Sequence, residues 1–334
     1  MRTRGAPPTD GGDIGEYRFA TRIAVGGMAE VFRALRRQSA GADRAVVLKR
    51  MLPTLLAEPE WREMFEHEAR LGMRIRHKNV VEVLDHDVDG GAPYLVLEYV
   101  FGVDLRRLSS FLARTGRTMR APLAAWLCSE LLAGLHAVHT ARDERGAPLG
   151  IVHRDVSPSN VFLSVHGDVK LGDLGIAQAA LRESPRTPHP RGPDRGRVEL
   201  AKGKLGYLAP EQVSGLPMDA RADVFATATI LAELLLGRPL FAGGTELGVL
   251  LAIRDADLRV LRAIAQRLPD GMFDVLAAAL ARDPAERTPD ADTLRRALVA
   301  IAADADEAGR KNADALAGRL AGRGIAVIMA EAQR

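Results

Sequence analysis

Hydrophobic and polar positions divide the chain into two textures. Between Tyr17 and Tyr99, short β-branched or apolar runs at 31–35, 45–51, 80–87 and 94–100 are separated by polar or glycine-rich breaks. Runs of this length and bounding predict strands. Asp89-Gly90-Gly91, between the last two, predicts a hairpin turn. One stretch, 61–76, breaks the series with Phe65, Ala69 and Met73 four residues apart, the spacing of a buried helical row. After Gly102 the texture turns helical, at 121–140, 222–236, 247–255, 271–282 and 290–303. The pattern predicts an α+β, bilobal chain: a small sheet-rich lobe with one helix, then a larger helical lobe, with the boundary near residue 101.

Two segments depart from the globular texture. Residues 182–203 are rich in Arg, Pro and Gly around Ser184 and Thr187, too polar to bury a core of their own, and are expected to form a mobile loop. Residues 309–334 alternate charged and alanine-rich stretches and read as a terminal helix or tail. The first residues are polar, with Pro and Gly, and lack the apolar core of a signal peptide. A flexible leader and a cytoplasmic protein are the expectation. The longest apolar run, 226–236, contains Thr227, Thr229 and Glu233 and is too short to span a bilayer, so a buried helix is expected and no membrane partner.

Composition narrows the classes. With 47% hydrophobic and 27% charged residues over 334 positions, the chain can bury a sizeable core, which excludes a disordered or fibrous protein. The single cysteine, Cys128, excludes a disulfide framework and a multi-cysteine zinc site, and its apolar neighbours suit a core position. A net charge of +3 is too weak to argue for nucleic acid as a partner. Six lysines stand against forty arginines among the 46 basic residues, so a lysine at a demanding position is informative.

Candidate chemistry lies in four places. Ile23-Ala24-Val25-Gly26-Gly27-Met28-Ala29-Glu30-Val31 falls between strand candidates, where glycines let backbone N–H groups approach phosphate oxygens; a plain Gly-Gly hairpin would read the same. Lys49 ends an apolar strand, either facing a cleft as a point charge for phosphates or lying on the surface, with Glu68 on the following helix as a partner. His153-Arg154-Asp155-Val156-Ser157-Pro158-Ser159-Asn160 sets an Asp and an Asn five residues apart on a loop, and Leu171-Gly172-Asp173-Leu174-Gly175 follows a short strand. Asp155, Asn160 and Asp173 supply a carboxylate for a hydroxyl proton and oxygen ligands for a divalent ion across nucleotide phosphates. Ala209-Pro210-Glu211 closes the mobile loop, with Arg287 a partner far downstream.

In this order, from Tyr17 to about Ala300, these motifs resemble the protein kinase signature set. The Gly-Gly-Met turn, Ala209-Pro210-Glu211-Gln212 and Asp283-Pro284 with Arg287 look most like bacterial members of the eukaryotic-type Ser/Thr protein kinases. The resemblance implies a leader at 1–16, a kinase domain at 17–300 (N-lobe 17–100, C-lobe 101–300, activation segment 173–211) and a helical tail at 301–334. It implies a Ser/Thr kinase that takes ATP and Mg2+ or Mn2+, acts on protein substrates and autophosphorylates through a transient homodimer. Ile23 to Val31 would cover ATP, and Lys49 would bind its phosphates and pair with Glu68. Leu97 would be the gatekeeper, and the backbone from Glu98 to Val100 would meet adenine. Asp155 would be the catalytic base, with Asn160 and Asp173 as metal ligands. Asp223 would brace the catalytic loop, and Glu211 with Arg287 would tie the larger lobe.

The departures are informative. Ala24 and Ala29 replace two glycines, Val47 a smaller residue packing on adenine, and Leu174 the Phe of the metal motif. Gly72, one turn after Glu68, leaves a packing position empty and predicts a loosely held helix. Ser157 stands where Ser/Thr kinases carry a lysine that contacts the γ-phosphate, and Lys204 stands where they carry a threonine. An exchange of the two groups would make Lys204 catalytic; independent drift is the bland alternative. Against an active enzyme stand a pseudokinase, which Ser157 and the alanine-bearing turn favour, and a small-molecule phosphotransferase, which the long activation segment disfavours.

Overall fold

The structure, a computed structural model, describes residues 13–37, 43–173 and 204–304. The upper lobe is one antiparallel sheet: β1 (Asp13–Ile14), β2 (Tyr17–Val25), β3 (Ala29–Arg36), β4 (Arg44–Met51), β5 (Val83–Asp89) and β6 (Ala92–Glu98), in the order β1-β2-β3-β4-β6-β5. Period-two alternation sorts the sheet's side chains. Ala34, Val46, Leu48, Tyr94 and Val96 join Ile14 and Tyr17 on one face. Met51 and Leu95 face the other side, where they pack with Leu55 and with Phe65 and Ala69 of α1 (Pro59–Gly72). Lys49 is two residues before Met51, so the same alternation turns it toward α1. The β5–β6 connection is the expected hairpin, with Gly90 and Gly91 at φ +53° and +83°, the left-handed pair of a two-residue turn.

The lower lobe opens with a three-stranded sheet of β7 (Gly102–Asp104), β8 (Val161–Ser164) and β9 (Val169–Leu171). Its helices are α2 (Leu105–Arg114), α3 (Ala121–His139), α4 (Pro210–Val213), α5 (Arg221–Leu236), α6 (Glu246–Arg254), α7 (Arg259–Arg262), α8 (Met272–Ala279) and α9 (Ala291–Asp304). The 19-residue α3 is long and apolar enough to cross a membrane by composition, but most of it is buried against α5 and α9, as in a core helix. Cys128, fully buried on α3, is a core residue as expected, and burial pushes its thiol well above the usual range. The α5 run 226–236 is buried at every position but Glu233 and Leu236; Thr227 and Thr229 satisfy their hydroxyls by donating to the carbonyls of Asp223 (2.9 Å) and Phe225 (3.0 Å).

Several boundaries differ from the sequence reading, each for a local reason. Residues 13–14 fall within the stretch read as a leader, yet they pair with β2 as an edge strand. The strand expected at 80–87 begins at Val83, because the preceding segment pairs with the lower lobe instead. Leu171 donates to Asn79 O (2.8 Å), and Val81 donates to Leu171 O (2.8 Å). Asn79 Nδ2 donates to Val169 O and to Glu130 Oε2, both at 2.9 Å. Gly134 of α3 comes so close that a Cβ there would lie 2.5 Å from Asn79 O. The helix expected at 61–76 starts at Pro59, suited to a first turn, and ends at Gly72, leaving Met73 at 38% exposure rather than in the buried row. Helix α2 was not evident in the pattern; Asp104 caps it by accepting from Arg107 N (2.8 Å), and Leu105, Leu108 and Leu112 form its buried stripe. Helix α9 runs past residue 300, to Asp304.

Candidate active site

The upper wall of the cleft is set by Lys49. It bonds Glu68 Oε1 of α1 at 2.6 Å and Asp173 Oδ1, just beyond β9, at 2.9 Å. Burial opposes the ammonium, but the Asp173 and Glu68 carboxylates outweigh it and hold Lys49 well above the usual lysine range. Asp173 is held below the usual carboxylate range chiefly by Lys49. Its side chain is half exposed toward the cleft, and its backbone is left-handed, at φ +48°. Burial pushes the Glu68 carboxyl up, against the pull of Lys49. The three side chains are fixed in place by their mutual bonds, with one carboxylate edge open.

The lower wall is the loop 153–160. Buried Asp223 of α5 accepts from His153 N (2.8 Å) and Arg154 N (2.9 Å), and His139 Nε2 lies 2.8 Å from the same carboxylate. These bonds support Arg154 at φ +65°, a conformation costly for a residue with a Cβ. Burial holds the His153 imidazole below its usual range, hence neutral. Its Nε2 faces Gly172 O at 3.1 Å and its Nδ1 accepts from Asp155 N at 3.3 Å, so the proton belongs on Nε2. One buried ring thus couples the backbone before Asp155 to the backbone before Asp173.

Pro158 opens a short 3-10 turn that brings Asn160 back to Asp155. Asn160 Nδ2 donates to Asp155 O (2.8 Å) and Oδ2 (2.9 Å). Lys204 Nζ bonds the same Oδ2 at 2.5 Å. Ser157, at 2% exposure, is buried with its Oγ 3.0 Å from Ser159 Oγ. The structure therefore brings together Lys49, Glu68, Asp155, Asn160, Asp173 and Lys204, residues spread over 156 positions of chain.

Other expected residues meet mixed outcomes. Gly26 and Gly27 form the β2–β3 turn, closed by Gly26 N to Ala29 O (2.8 Å), with Ile23 and Val25 about half exposed on β2. Ala24 pairs with Val31 across the ladder, and Val25 with Glu30, whose carboxylate takes Arg22 at 3.0 Å. Met28 and Ala29 point inward: their side chains belong to the cluster with Met51, Phe65 and Ala69, so only their backbone is available to a ligand. Glu98 N donates to Glu82 O (2.9 Å), which leaves any base contact at Glu98 to its carbonyl, while Val100 lies on the connection between the lobes. Leu97 and Gly72 line a water-sized cavity of about 30 Å³ behind the Lys49–Glu68 pair, in keeping with the packing position that Gly72 leaves empty. Ser184, Thr187, Leu174 and the whole of 182–203 lie outside the described residues.

Two ties below the cleft complete the site. Arg287 meets Glu211 of α4 in a fully buried bidentate pair, at 2.8 and 2.9 Å. Tyr207 donates its OH to Glu233 Oε2 of α5 at 2.6 Å, a contact the sequence reading missed because no local pattern links two residues 26 positions apart. The Lys170–Glu98 bond (2.9 Å) was also missed, although the scarcity of lysine marked Lys170 as worth placing.

The donor set fits a divalent cation. With its amide nitrogen given to Asp155, Asn160 turns its oxygen the other way, and Asp173 keeps an oxygen not bonded to Lys49. Two hard oxygen ligands in an open cleft suit an ion that keeps several waters and takes phosphate oxygens.

A sheet with one helix set over a helical lobe, the Lys49–Glu68 pair above and the Asp155–Asn160 loop below, is the α+β architecture of a protein kinase. Residues 17–298 match the family model described as the protein kinase domain, and the chain belongs to that family. The tyrosine-protein kinase MasK of Myxococcus xanthus is 36% identical over 284 residues, covering 85% of this chain and 42% of that protein. The serine/threonine-protein kinase PknL of Mycobacterium tuberculosis is 33% identical over 286 residues, covering 86% and 65%. The chain thus spans less than two thirds of either relative. A crystal structure of the Mycobacterium tuberculosis PknI kinase domain, a double mutant, superposes with a TM-score of 0.62 at 22% identity, covering 89% of this chain and 100% of that one, a likeness of fold.

Proposed function

We propose that the chain transfers the γ-phosphoryl group of ATP to serine or threonine hydroxyls of proteins. The observation that carries this reading is the assembled cleft: Lys49 bonded to both Glu68 and Asp173, facing an Asp155 oriented by Asn160. A pseudokinase would have no need to keep all five groups in register. The segment closing at Ala209-Pro210-Glu211 and tied to Arg287 favours a protein over a small-molecule acceptor.

In this reading Lys49 binds the α- and β-phosphates as a fixed charge, its ammonium kept protonated by two carboxylates. The backbone of Ile23 to Val31 covers the nucleotide, and Glu98 and Val100 meet the base. Asp155 takes the acceptor hydroxyl's proton while that oxygen attacks the γ-phosphorus. A divalent ion held by Asn160 and Asp173, Mg2+ or Mn2+, supplies charge neutralisation across the phosphates when bound. Lys204, beside Asp155, supplies the cation that Ser157 does not. Autophosphorylation at Ser184 or Thr187, in trans between two copies, belongs to the same proposal, and its check is mass spectrometry of that peptide after incubation with ATP.

A second acceptor class has its own support in the name of the 36% identical relative, a tyrosine-protein kinase. The test is labelled ATP with Mg2+ or Mn2+, casein and a Glu/Tyr copolymer as acceptors, and phosphoamino-acid analysis of the product. Asp155→Asn should lower kcat by roughly 10²-fold or more while nucleotide affinity survives, since a general base acts on chemistry rather than on ground-state binding. Turnover equal to wild type in Asp155→Asn would remove the assignment of the base, and phosphotyrosine alone would replace the acceptor class.

A further inference from the structure

The cation beside the base sits on a different element from the base. Asp155 belongs to a loop fixed to α5 through Asp223, whereas Lys204 belongs to the segment leading into Ala209-Pro210-Glu211. That segment makes one tight turn after Lys204, with Tyr207 N donating to Lys204 O at 3.1 Å and Leu208 N to Leu205 O at 3.2 Å. Beyond the turn, the Tyr207 hydroxyl reaches Glu233 Oε2 at 2.6 Å, and Glu233 Oε1 in turn accepts from Leu240 N at 3.2 Å. The path Asp155, Lys204, Tyr207, Glu233 and Leu240 is therefore continuous, and it ends on the last turn of α5 and the chain just after it.

We propose that Tyr207 and Glu233 are positioning residues for Lys204, so that the charge serving phosphoryl transfer enters the cleft only while this segment is docked on α5. The inference rests on the kinase reading and deepens it. A lysine built into the loop beside Asp155 would be present whatever the segment did. With Ser157 at that place, undocking withdraws the charge as well as the platform for an acceptor. The dependence then extends to a reaction that needs no protein acceptor at all, the transfer to water. There the water oxygen bonds to the γ-phosphorus and its proton passes to Asp155. The bond from the γ-phosphorus to the bridging oxygen breaks, and the electron pair leaves on ADP. Tyr207 touches none of these atoms, so a loss of hydrolysis on removing its hydroxyl would have to act through Lys204.

The experiment measures steady-state ATP hydrolysis without a protein acceptor, with kcat and the KM for ATP separated. Tyr207→Phe, which keeps the ring and removes the hydroxyl, is placed in the native chain and in two chains lacking the segment's charge: Lys204→Ala and Ser157→Lys/Lys204→Thr. In the native chain kcat should fall on the order of tenfold, the equivalent of one hydrogen bond to a charged group, with KM for ATP within about twofold. In either of the other chains the same substitution should change kcat less than about twofold, because two residues acting as a unit do not add. An equal loss in all three chains, or no loss in the native one, overturns the proposal while leaving the kinase reading intact. A native chain that neither hydrolyses ATP nor phosphorylates any acceptor overturns both.

Discussion

Arg287→Met should be among the most destabilising single changes in the larger lobe. The guanidinium gives Glu211 two bonds (2.8 and 2.9 Å), gives Arg221 O one (2.9 Å) and Ala281 O another (3.1 Å). It also stacks 5.0 Å from the centre of the Phe225 ring. Methionine keeps much of the volume and all of the apolar contact, so the loss falls on the polar partners. Glu211, at 3% exposure, is left as a buried carboxylate without its cation, which costs about 3–5 kcal/mol. The two carbonyls add about 1 kcal/mol each if water cannot replace the donor. We take about 4 kcal/mol, the middle of the range for the stranded carboxylate with both carbonyls rehydrated, as the expected loss, equivalent to a fall in Tm of roughly 10 °C for a chain of this size. The assay is urea unfolding followed by tryptophan fluorescence, since Trp61 reports from α1 and Trp126 from α3. A shifted midpoint with an unchanged m-value would be a pure stability effect. The double variant Glu211→Gln/Arg287→Met removes the stranded charge and should recover about 2 kcal/mol of the loss. A single variant that loses less than about 1 kcal/mol, or a double variant no better than the single, would refute the stranded-charge argument.

Three further outcomes follow from other parts of the structure. Lys204→Ala should lower kcat on the order of 10²-fold, in line with the loss of one preorganised donor; the control Lys78→Ala, whose side chain is 73% exposed, should cost almost nothing, and full activity in Lys204→Ala would make the exchange with Ser157 a coincidence. Burial pushes the Glu233 carboxyl up from 4.5 to about 7, against the bonds from Tyr207 and Leu240 N, with Arg106 the charged neighbour of Tyr207. The folded state therefore holds this proton over that interval and loses stability as pH rises through it, by up to about 3 kcal/mol, so Glu233→Gln should flatten the pH dependence of Tm between roughly pH 5 and 8; an unchanged slope would count against it. Gly134→Ala should lower stability by about 1–3 kcal/mol in the same urea assay, because its Cβ would have to displace the Asn79 carbonyl; a neutral result would mean that α3 yields there.

The parts legible in the sequence were those in which local pattern and chemistry coincide. Lys49 stood at the end of an apolar strand and Glu68 on the following helix; Asp155 and Asn160 lay five residues apart on a loop and Asp173 just after a short strand. The order of these motifs is what the resemblance to protein kinases joined into one site. What the sequence did not show was set by contacts between distant segments. Nothing local announces that Val80 leaves the upper sheet to pair with Leu171, or that Tyr207 spends its hydroxyl on Glu233. Helix α2 was hidden because Leu105, Leu108 and Leu112 are separated by charged and serine positions, a stripe too narrow to stand out before its cap at Asp104 is seen. Met28 was read with the phosphate-facing turn, and only the packing of Phe65 and Ala69 reveals that its side chain turns inward.

The attachment of Asn79 to the lower lobe has a mechanical consequence. Bonded to Val169, Leu171 and Glu130 and pressed on Gly134, this point would be the fulcrum of any tilt of the upper sheet against the lower lobe. Strand β5 follows it directly, and the sheet order places β2 four strands farther out. At about 4.8 Å per strand, β2 swings on a lever of about 19 Å, so a tilt of roughly 10° carries it about 3 Å. The Gly26–Gly27 turn lies on that far edge, while Gly72 and the foot of α1 stay near the axis. A small angular change at the joint would thus be geared up into a larger displacement of the roof, with the Lys49–Glu68 pair carried on the tilting body and the Lys49–Asp173 bond the one that crosses to the lower lobe.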